Sequence, residues 1–296
     1  MTIEQIRKRA EILREIRAFF DSRDFWEVET PVRILAPAQE TTIDCPPSGA
    51  AFLRASPELQ MKRLLCAGLE RIYQIGPCFR MDECGSRHNP EFTMIEWYRA
   101  HSDYTQMLRD TQELLRTLVV RVGAPDDLGI DKTWEIIPVR DAYRKWAGWD
   151  PVDSWDENRF DEDMVMKIEP NLPRPVPVVL IDYPAQVASL AKLKDGSPEV
   201  AERWEVYCKG IELANAYSEL CDADAQRARF AEAASVRHGL GKADYPMDEE
   251  FFTALKRGMP PSGGIALGVD RLVMLLLGVP DIHEARLFCQ QPGHLF

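Results

Sequence analysis

Phe79-Arg80-Met81-Asp82-Glu83-Cys84-Gly85-Ser86-Arg87-His88-Asn89-Pro90-Glu91-Phe92-Thr93-Met94-Ile95-Glu96-Trp97-Tyr98 sets arginines, a histidine, acids and a glycine-containing turn between two apolar, strand-like segments. The pattern predicts a β-hairpin whose tip carries charge. Arg80 ends the first strand, where its fixed fork of donors suits a phosphate and the charge that develops on it during displacement. Asp82, Glu83, His88 and Asn89 flank the turn, and Phe92 opens the return strand with a ring able to cover one face of an adenine. A surface hairpin with solvated charges and Phe92 in the core has the same spacing, so the run alone does not choose between the two.

Outward from the hairpin, Thr2 followed by Gln5 resembles a capping box, and Ile6, Ala10, Leu13, Ile16 and Phe20 recur at helical spacing to about Ser22. Phe25 to Pro31 reads as a strand closed by proline, and Ser56-Pro57-Glu58 as the start of a helix. Tyr104 to Val122 is helical in period. Asp126 to Asn171 has only irregular helical pieces, the prolines from Pro170 to Pro177 mark a linker, and Val178 to Ile181 is a buried strand. Ile211 to Leu220 alternates as a strand, Asp222 to His238 is helical, and Gly263 to Arg271 runs from a glycine-rich strand into a helix ending at Gly278.

Three further constellations carry chemistry. Glu212 and Glu219 are hard oxygen donors suited to Mg2+. Seven residues apart on a regular strand they would face opposite ways, so sharing an ion requires a bulge or twist between them. Gly264 and Gly268 permit close backbone approach, and Arg271 in the first turn of the next helix adds cationic charge where the helix dipole is already positive, a combination that favours an anion. Glu58, Glu96 and Glu219 are acids that a lysine-like cation would neutralise if the fold gathers them. No G-x-x-x-x-G-K-[ST] occurs, and Gly239-Leu240-Gly241-Lys242 lacks a preceding strand, which argues against a P-loop.

The bulk numbers set limits. A chain of 296 residues that is 45% hydrophobic can bury one large core or two ordinary ones. Its net charge of -12 gives no broad footprint for nucleic acid. No run approaches a membrane span, the N-terminus lacks the plan of a signal peptide, and the seven cysteines contain no CxxC pair, so reduced thiols in the cytoplasm are expected.

Val28-Glu29-Thr30-Pro31, the Arg80 hairpin with His88-Asn89-Pro90-Glu91-Phe92, and Gly264 to Arg271 resemble motifs one, two and three of class II aminoacyl-tRNA synthetases. Ser56-Pro57-Glu58 before Met61-Lys62-Arg63-Leu64, with Glu212-Leu213-Ala214-Asn215 and Ser218-Glu219-Leu220, resembles the lysyl branch. The chain opens on the helix leading into motif one, so the expectation is a single catalytic domain over residues 1–296 without the anticodon-binding domain of lysyl-tRNA synthetases. Glu96-Trp97-Tyr98-Arg99 and Tyr207-Cys208-Lys209-Gly210-Ile211-Glu212 are similar to the elongation factor P-lysine ligase family.

This resemblance implies an α+β fold, a class II synthetase-like antiparallel sheet flanked by helices, and a homodimer formed through the motif-one region. It implies an ATP-dependent, AMP-forming ligase that activates lysine, preferentially the (R)-β isomer, and transfers it to a lysine of elongation factor P. Binding of tRNA is not expected. The implied ATP contacts are Arg80, Asp82, Asn89, Glu212, Leu213 and Gly268, with Arg271 near the phosphates and His88 and Phe92 beside them. Arg80 and Arg271 are the catalytic candidates. The implied amino-acid contacts are Ser56, Pro57, Glu58, Glu96, Tyr98 and Glu219, with Ala266 on the pocket wall where lysyl-tRNA synthetases have glycine. Glu212 and Glu219 are the implied Mg2+ ligands. Asp82 stands where motif two usually has Glu, one methylene longer, and Ala216 and Cys221 also depart from the pattern. A truncated lysyl-tRNA synthetase paralogue with another acceptor, and a non-catalytic regulator that binds ATP or amino acids, are the alternatives.

Overall fold

The computed structural model describes residues 1–289. Helix α1 (Ile3–Asp21) leads to β1 (Trp26–Glu27), the short strands β2 (Arg33–Ile34), β3 (Pro47–Ser48) and β4 (Ala51–Leu53), then α2 (Glu58–Cys66), the hairpin β5 (Arg71–Phe79) and β6 (Glu91–Ala100), and α3 (Tyr104–Val122). The middle of the chain forms β7 (Glu135–Pro138), α4 (Val139–Trp146), α5 (Glu157–Asp163) and β8 (Val178–Pro184). The remainder is β9 (Leu193–Lys194), β10 (Ser197–Cys208), β11 (Ile211–Ser218), α6 (Ala223–Gly239), α7 (Glu249–Arg257), β12 (Ser262–Gly268), α8 (Val269–Leu277) and α9 (Ile282–Ala285). Among the described residues a nine-stranded sheet runs β1-β5-β6-β12-β11-β10-β8-β7, with β9 beside β10, and β2, β4 and β3 form a separate three-stranded sheet. The large sheet is antiparallel through its centre, as expected, and parallel at both margins, where β1 joins β5 and β7 joins β8.

Strand alternation sorts the two faces of this sheet. Across one row of paired residues lie Tyr73, Trp97, Ile265, Ala216 and Trp204, all buried under α1, α3 and α8 in the main core. The next row holds Gln74, Glu96, Ala266, Asn215 and Glu205, and it faces the other way. Polar residues thus fill a central row of a buried sheet, which costs free energy unless they are hydrogen-bonded or reserved for a ligand.

Local chemistry explains the elements that the sequence anticipated. The Thr2–Gln5 capping box closes reciprocally, Asp103 caps α3 through the Thr105 and Gln106 amides, and Gly278 ends α8 in the left-handed conformation. Other elements went unread. The strand expected from Phe25 to Pro31 is paired only over Trp26–Glu27, because the chain then turns so that Gln74 Oε1 accepts from the amide and hydroxyl of Thr30. β7 lies within the stretch expected to be irregular helix, and β10 is a 12-residue strand whose charges at Glu199, Glu202, Arg203 and Glu205 break a simple alternation. α7 was also missed. Its Phe251, Phe252 and Leu255 pack against Leu59, Met61 and Leu65 of α2 to form a second core that backs the polar face of the sheet.

Candidate active site

A cavity opens on the polar face, and most of the predicted residues line it: Ser56, Glu58, Arg80, His88, Asn89, Phe92, Glu96, Tyr98, Glu212, Leu213, Ala266, Gly268 and Arg271. Three predicted residues do not. Pro57 caps α2 from outside the lining, Asp82 lies exposed at the hairpin tip with φ 61°, and the Glu219 side chain is fully buried behind the wall. At the motif-two acid it is Glu83, 3.4 Å from Arg80 Nη1, that reaches the cavity in place of Asp82.

The acid group is built on α2, β6 and the end of β11. Glu96 accepts from Ser56 Oγ at 2.6 Å and from Tyr98 Oη at 2.8 Å. Burial, then repulsion from Glu58, raises its pKa to about 7. Lys62, which sequence reading did not single out, donates to Glu58 Oε1 at 2.5 Å and forms an ion pair with Glu219. Burial by itself would lower the Lys62 pKa, but Glu219 and Glu58 outweigh it and the shift is upward, so the ammonium stays charged between the two acids, while burial, only partly offset by Lys62, pushes the Glu219 carboxyl up to about 8. Gly264 is indispensable to this packing. A Cβ there would collide with Glu219 Oε1 and stand 2.6 Å from a Tyr98 ring carbon. Gly268 has no such crowding, since a Cβ would meet only Arg271 at 3.7 Å.

The guanidinium group gathers around the hairpin and the start of α8. Arg80 lies 5.3 Å from the Phe92 ring centroid, and its buried Nε has no acceptor. Arg271 donates to the Glu212 backbone oxygen at 2.9 Å, to Glu212 Oε2 at 3.2 Å, and to the Arg87 backbone oxygen at 3.2 Å. Its Nη2 also lies 2.7 Å from His88 Nε2. A guanidinium can only donate, so His88 accepts with a neutral ring, consistent with a pKa lowered by burial and by Arg271. The hairpin tip and the third motif are thereby tied together over the cavity.

The bulge that Glu212 needed is present. Val206 pairs with Ala214 and Tyr207 with Glu212, so Leu213 is the extra residue and Glu212 returns to the face of Asn215 and Tyr217. Glu212 and Glu219 nevertheless do not meet. Seven residues of extended chain separate them by roughly 20 Å, Glu212 pairs with Arg271, and Glu219 pairs with Lys62. The carboxylate that does bear on Glu212 is Glu205, on the neighbouring β10, which the sequence reading overlooked for want of that strand. After burial, Glu205 is the largest influence raising the Glu212 pKa. Glu205 is thus the acid that bears on Glu212 across the cavity wall, while its own oxygens accept from Arg203, Tyr183 and Tyr207; among the described residues no group of three or more His, Cys, Asp or Glu gathers as a ready-made metal site. Ala216 faces the core, so its departure from the family pattern does not touch the cavity.

The chain matches the family described as tRNA synthetases class II (D, K and N) over residues 2–292. It is similar to three proteins named elongation factor P–(R)-beta-lysine ligase: 35% identical to that of Hamiltonella defensa, 38% to that of Photorhabdus laumondii and 37% to that of Vibrio cholerae. Each alignment covers 97% of this chain and 95% of the relative. With motifs two and three converging on one cavity and similarity along nearly its whole length, the chain belongs to the class II tRNA synthetase family, in its elongation factor P–(R)-β-lysine ligase branch.

Proposed function

We propose that the protein activates a diamino acid of the lysine type, (R)-β-lysine foremost, with ATP, and passes the acyl group to a lysine side chain of elongation factor P. The observation that carries this reading is that Glu58 and Glu96 share one cavity with Arg80 and Arg271. The distal ammonium of the substrate docks on Glu96, which burial leaves in want of a positive neighbour. Its carboxylate turns toward Arg80 and attacks the α-phosphorus of ATP, the bond to the β-phosphate breaks, and pyrophosphate leaves. Arg80 meets the charge that develops on the α-phosphate. The neutral amine of the acceptor lysine then attacks the acyl carbon, AMP departs, an amide forms, and the amine proton is released. Positioning supplies most of the protein's contribution to this second step.

Glu205 and Glu212 are the residues that would hold Mg2+, whose chemistry here is neutralisation of phosphate charge. A homodimer formed through the motif-one region, where Trp26 is 70% exposed and Leu35 68%, completes the reading, with the protein working in the cytoplasm. No helix among the described residues is long and apolar enough to cross a membrane. The test is intact-mass analysis of elongation factor P after incubation with the protein, ATP and either lysine isomer, with tRNA offered in a parallel reaction. A mass gain of one lysyl group on the protein acceptor is expected. Folded protein that catalyses no lysine- or β-lysine-dependent pyrophosphate exchange would overturn the proposal.

A further inference from the structure

Glu40 was not anticipated by any motif, yet its carboxylate lines the cavity together with Ser56, Glu58 and Arg80. Every other acid in the lining, among the described residues, is matched. Lys62 pairs with Glu58, Arg80 with Glu83, Arg203 with Glu205 and Arg271 with Glu212. Asp270 is held by Arg9 and Arg286, and Glu96 by two hydroxyl donors. The Glu40 carboxylate alone has neither a cation nor a donor within bonding distance. Its electrostatic neighbours are Glu58, Arg80, Arg203 and Lys62, and it shares the cavity wall with Glu58, Glu96 and Arg80.

The segment that presents Glu40 is braced. Arg237, 1% exposed, donates to the backbone oxygens of Glu40 at 2.7 Å and Ile43 at 3.0 Å, and to Asp44 at 2.8 Å. Lys242 donates to the Thr41 oxygen at 2.8 Å, Gln39 to the Tyr245 oxygen at 2.8 Å, and the Cys45 amide to Tyr245 Oη at 2.8 Å. A framework this complete fixes the backbone from which the Glu40 side chain reaches the cavity, with nothing of the protein's own to receive its carboxylate.

We propose that Glu40 binds the amino group nearest the substrate's reacting carboxyl, and so sets which position of that amine the enzyme accepts. This rests on the diamino-acid reading given above. The distal amine occupies Glu96, and a carboxyl turned toward Arg80 brings the proximal amine, on the α or β carbon, into the neighbourhood of Glu40. Lys62 already engages one oxygen of Glu58, whereas both oxygens of Glu40 are open to an ammonium. A rigid acceptor discriminates between amines displaced by one carbon because a misplaced ammonium forfeits a charge-assisted bond.

The experiment compares wild type, Glu40→Gln and Glu40→Asp by pyrophosphate exchange with β-lysine and α-lysine. It also measures competitive inhibition by 6-aminohexanoate, which keeps the distal amine and lacks the proximal one. Glu40→Gln preserves shape and removes charge. It is expected to raise KM for the preferred diamino acid about 10- to 100-fold, with KM for ATP and inhibition by 6-aminohexanoate unchanged. Glu40→Asp is expected to recover part of the loss. The assignment is overturned if Glu40→Gln leaves that KM within two-fold of wild type, or weakens 6-aminohexanoate by the same factor. A wild type that activates neither isomer would instead refute the underlying diamino-acid reading.

Discussion

Replacing Lys62 with methionine keeps most of the side chain's stem and removes its charge from a place almost without water. Lys62 has a side-chain exposure of 1%, Glu58 7% and Glu219 0%. Two carboxylates then remain desolvated without their counter-charge, and removing one partner of a buried ion pair costs about 3–5 kcal/mol. Unfolding entropy per residue gives a chain of 296 residues roughly 0.6 kcal/mol/K, so the expected loss is a Tm lower by about 5–8 °C. The sign with pH follows from the same picture. Removing the ammonium raises the Glu219 carboxyl further above the value of about 8 that burial already gives it, so the deficit grows as pH rises through 8 and is smaller at pH 5. Urea unfolding at both pH values, with Glu219→Gln and the double variant completing a cycle, measures it. Because Glu219→Gln removes one of the stranded charges, the double variant should lose less than the sum of the singles. A Lys62→Met protein within 1 kcal/mol of wild type at pH 8, or strictly additive losses, would refute the reasoning.

Gly264→Ala forces Glu219 and Tyr98 apart; overpacking costs about 1–3 kcal/mol, and KM for the amino acid should rise while ATP binding, read by calorimetry, stays unchanged. The free-enzyme pKa of Glu96, raised to about 7 from its ordinary 4.5, makes its carboxylate available only as pH rises through that value. The plot of kcat/KM for the diamino acid should therefore fall on the acid side near pH 7, and Glu96→Gln should abolish that limb. For folding, the same raised value makes Glu96 a source of destabilisation that grows between pH 4.5 and 7, and Glu96→Gln should flatten that slope. Glu205→Gln and Glu212→Gln should each raise the Mg2+ concentration needed for half-maximal pyrophosphate exchange, and Glu219→Gln should not; equal effects from all three would contradict the separation of Glu212 from Glu219. Ala266 projects from the row between Glu96 and Asn215, so Ala266→Gly should shift the ratio of kcat/KM toward α-lysine by about ten-fold, measured isomer by isomer.

Much of this protein was legible in one dimension because its signals are local. The capping box of α1, the apolar period of α3, the charged hairpin and the glycine-rich run into α8 each depend on neighbours within a few residues, and each formed as read. Arg80, Glu96 and Arg271 were recognisable for the same reason: their motifs carry their own context. β10 was not legible, since its charges at Glu199, Glu202, Arg203 and Glu205 break a simple alternation, and Glu205 was lost with it.

What only the tertiary structure decided is which charges meet. The family resemblance pairs Glu212 with Glu219, but the length of extended chain between them leaves Glu212 with Arg271 and Glu205, and Glu219 with Lys62. Asp82 and Glu83 are adjacent in the chain, and the positive φ at Asp82 leaves Glu83 to face the cavity. Glu40 belongs to no motif and acquires its place from Arg237, nearly 200 residues away. Periodicity fixes the face of a strand on which a side chain lies, because that is a property of the backbone alone; the partner of a buried charge is set by whichever distant segment packs against it.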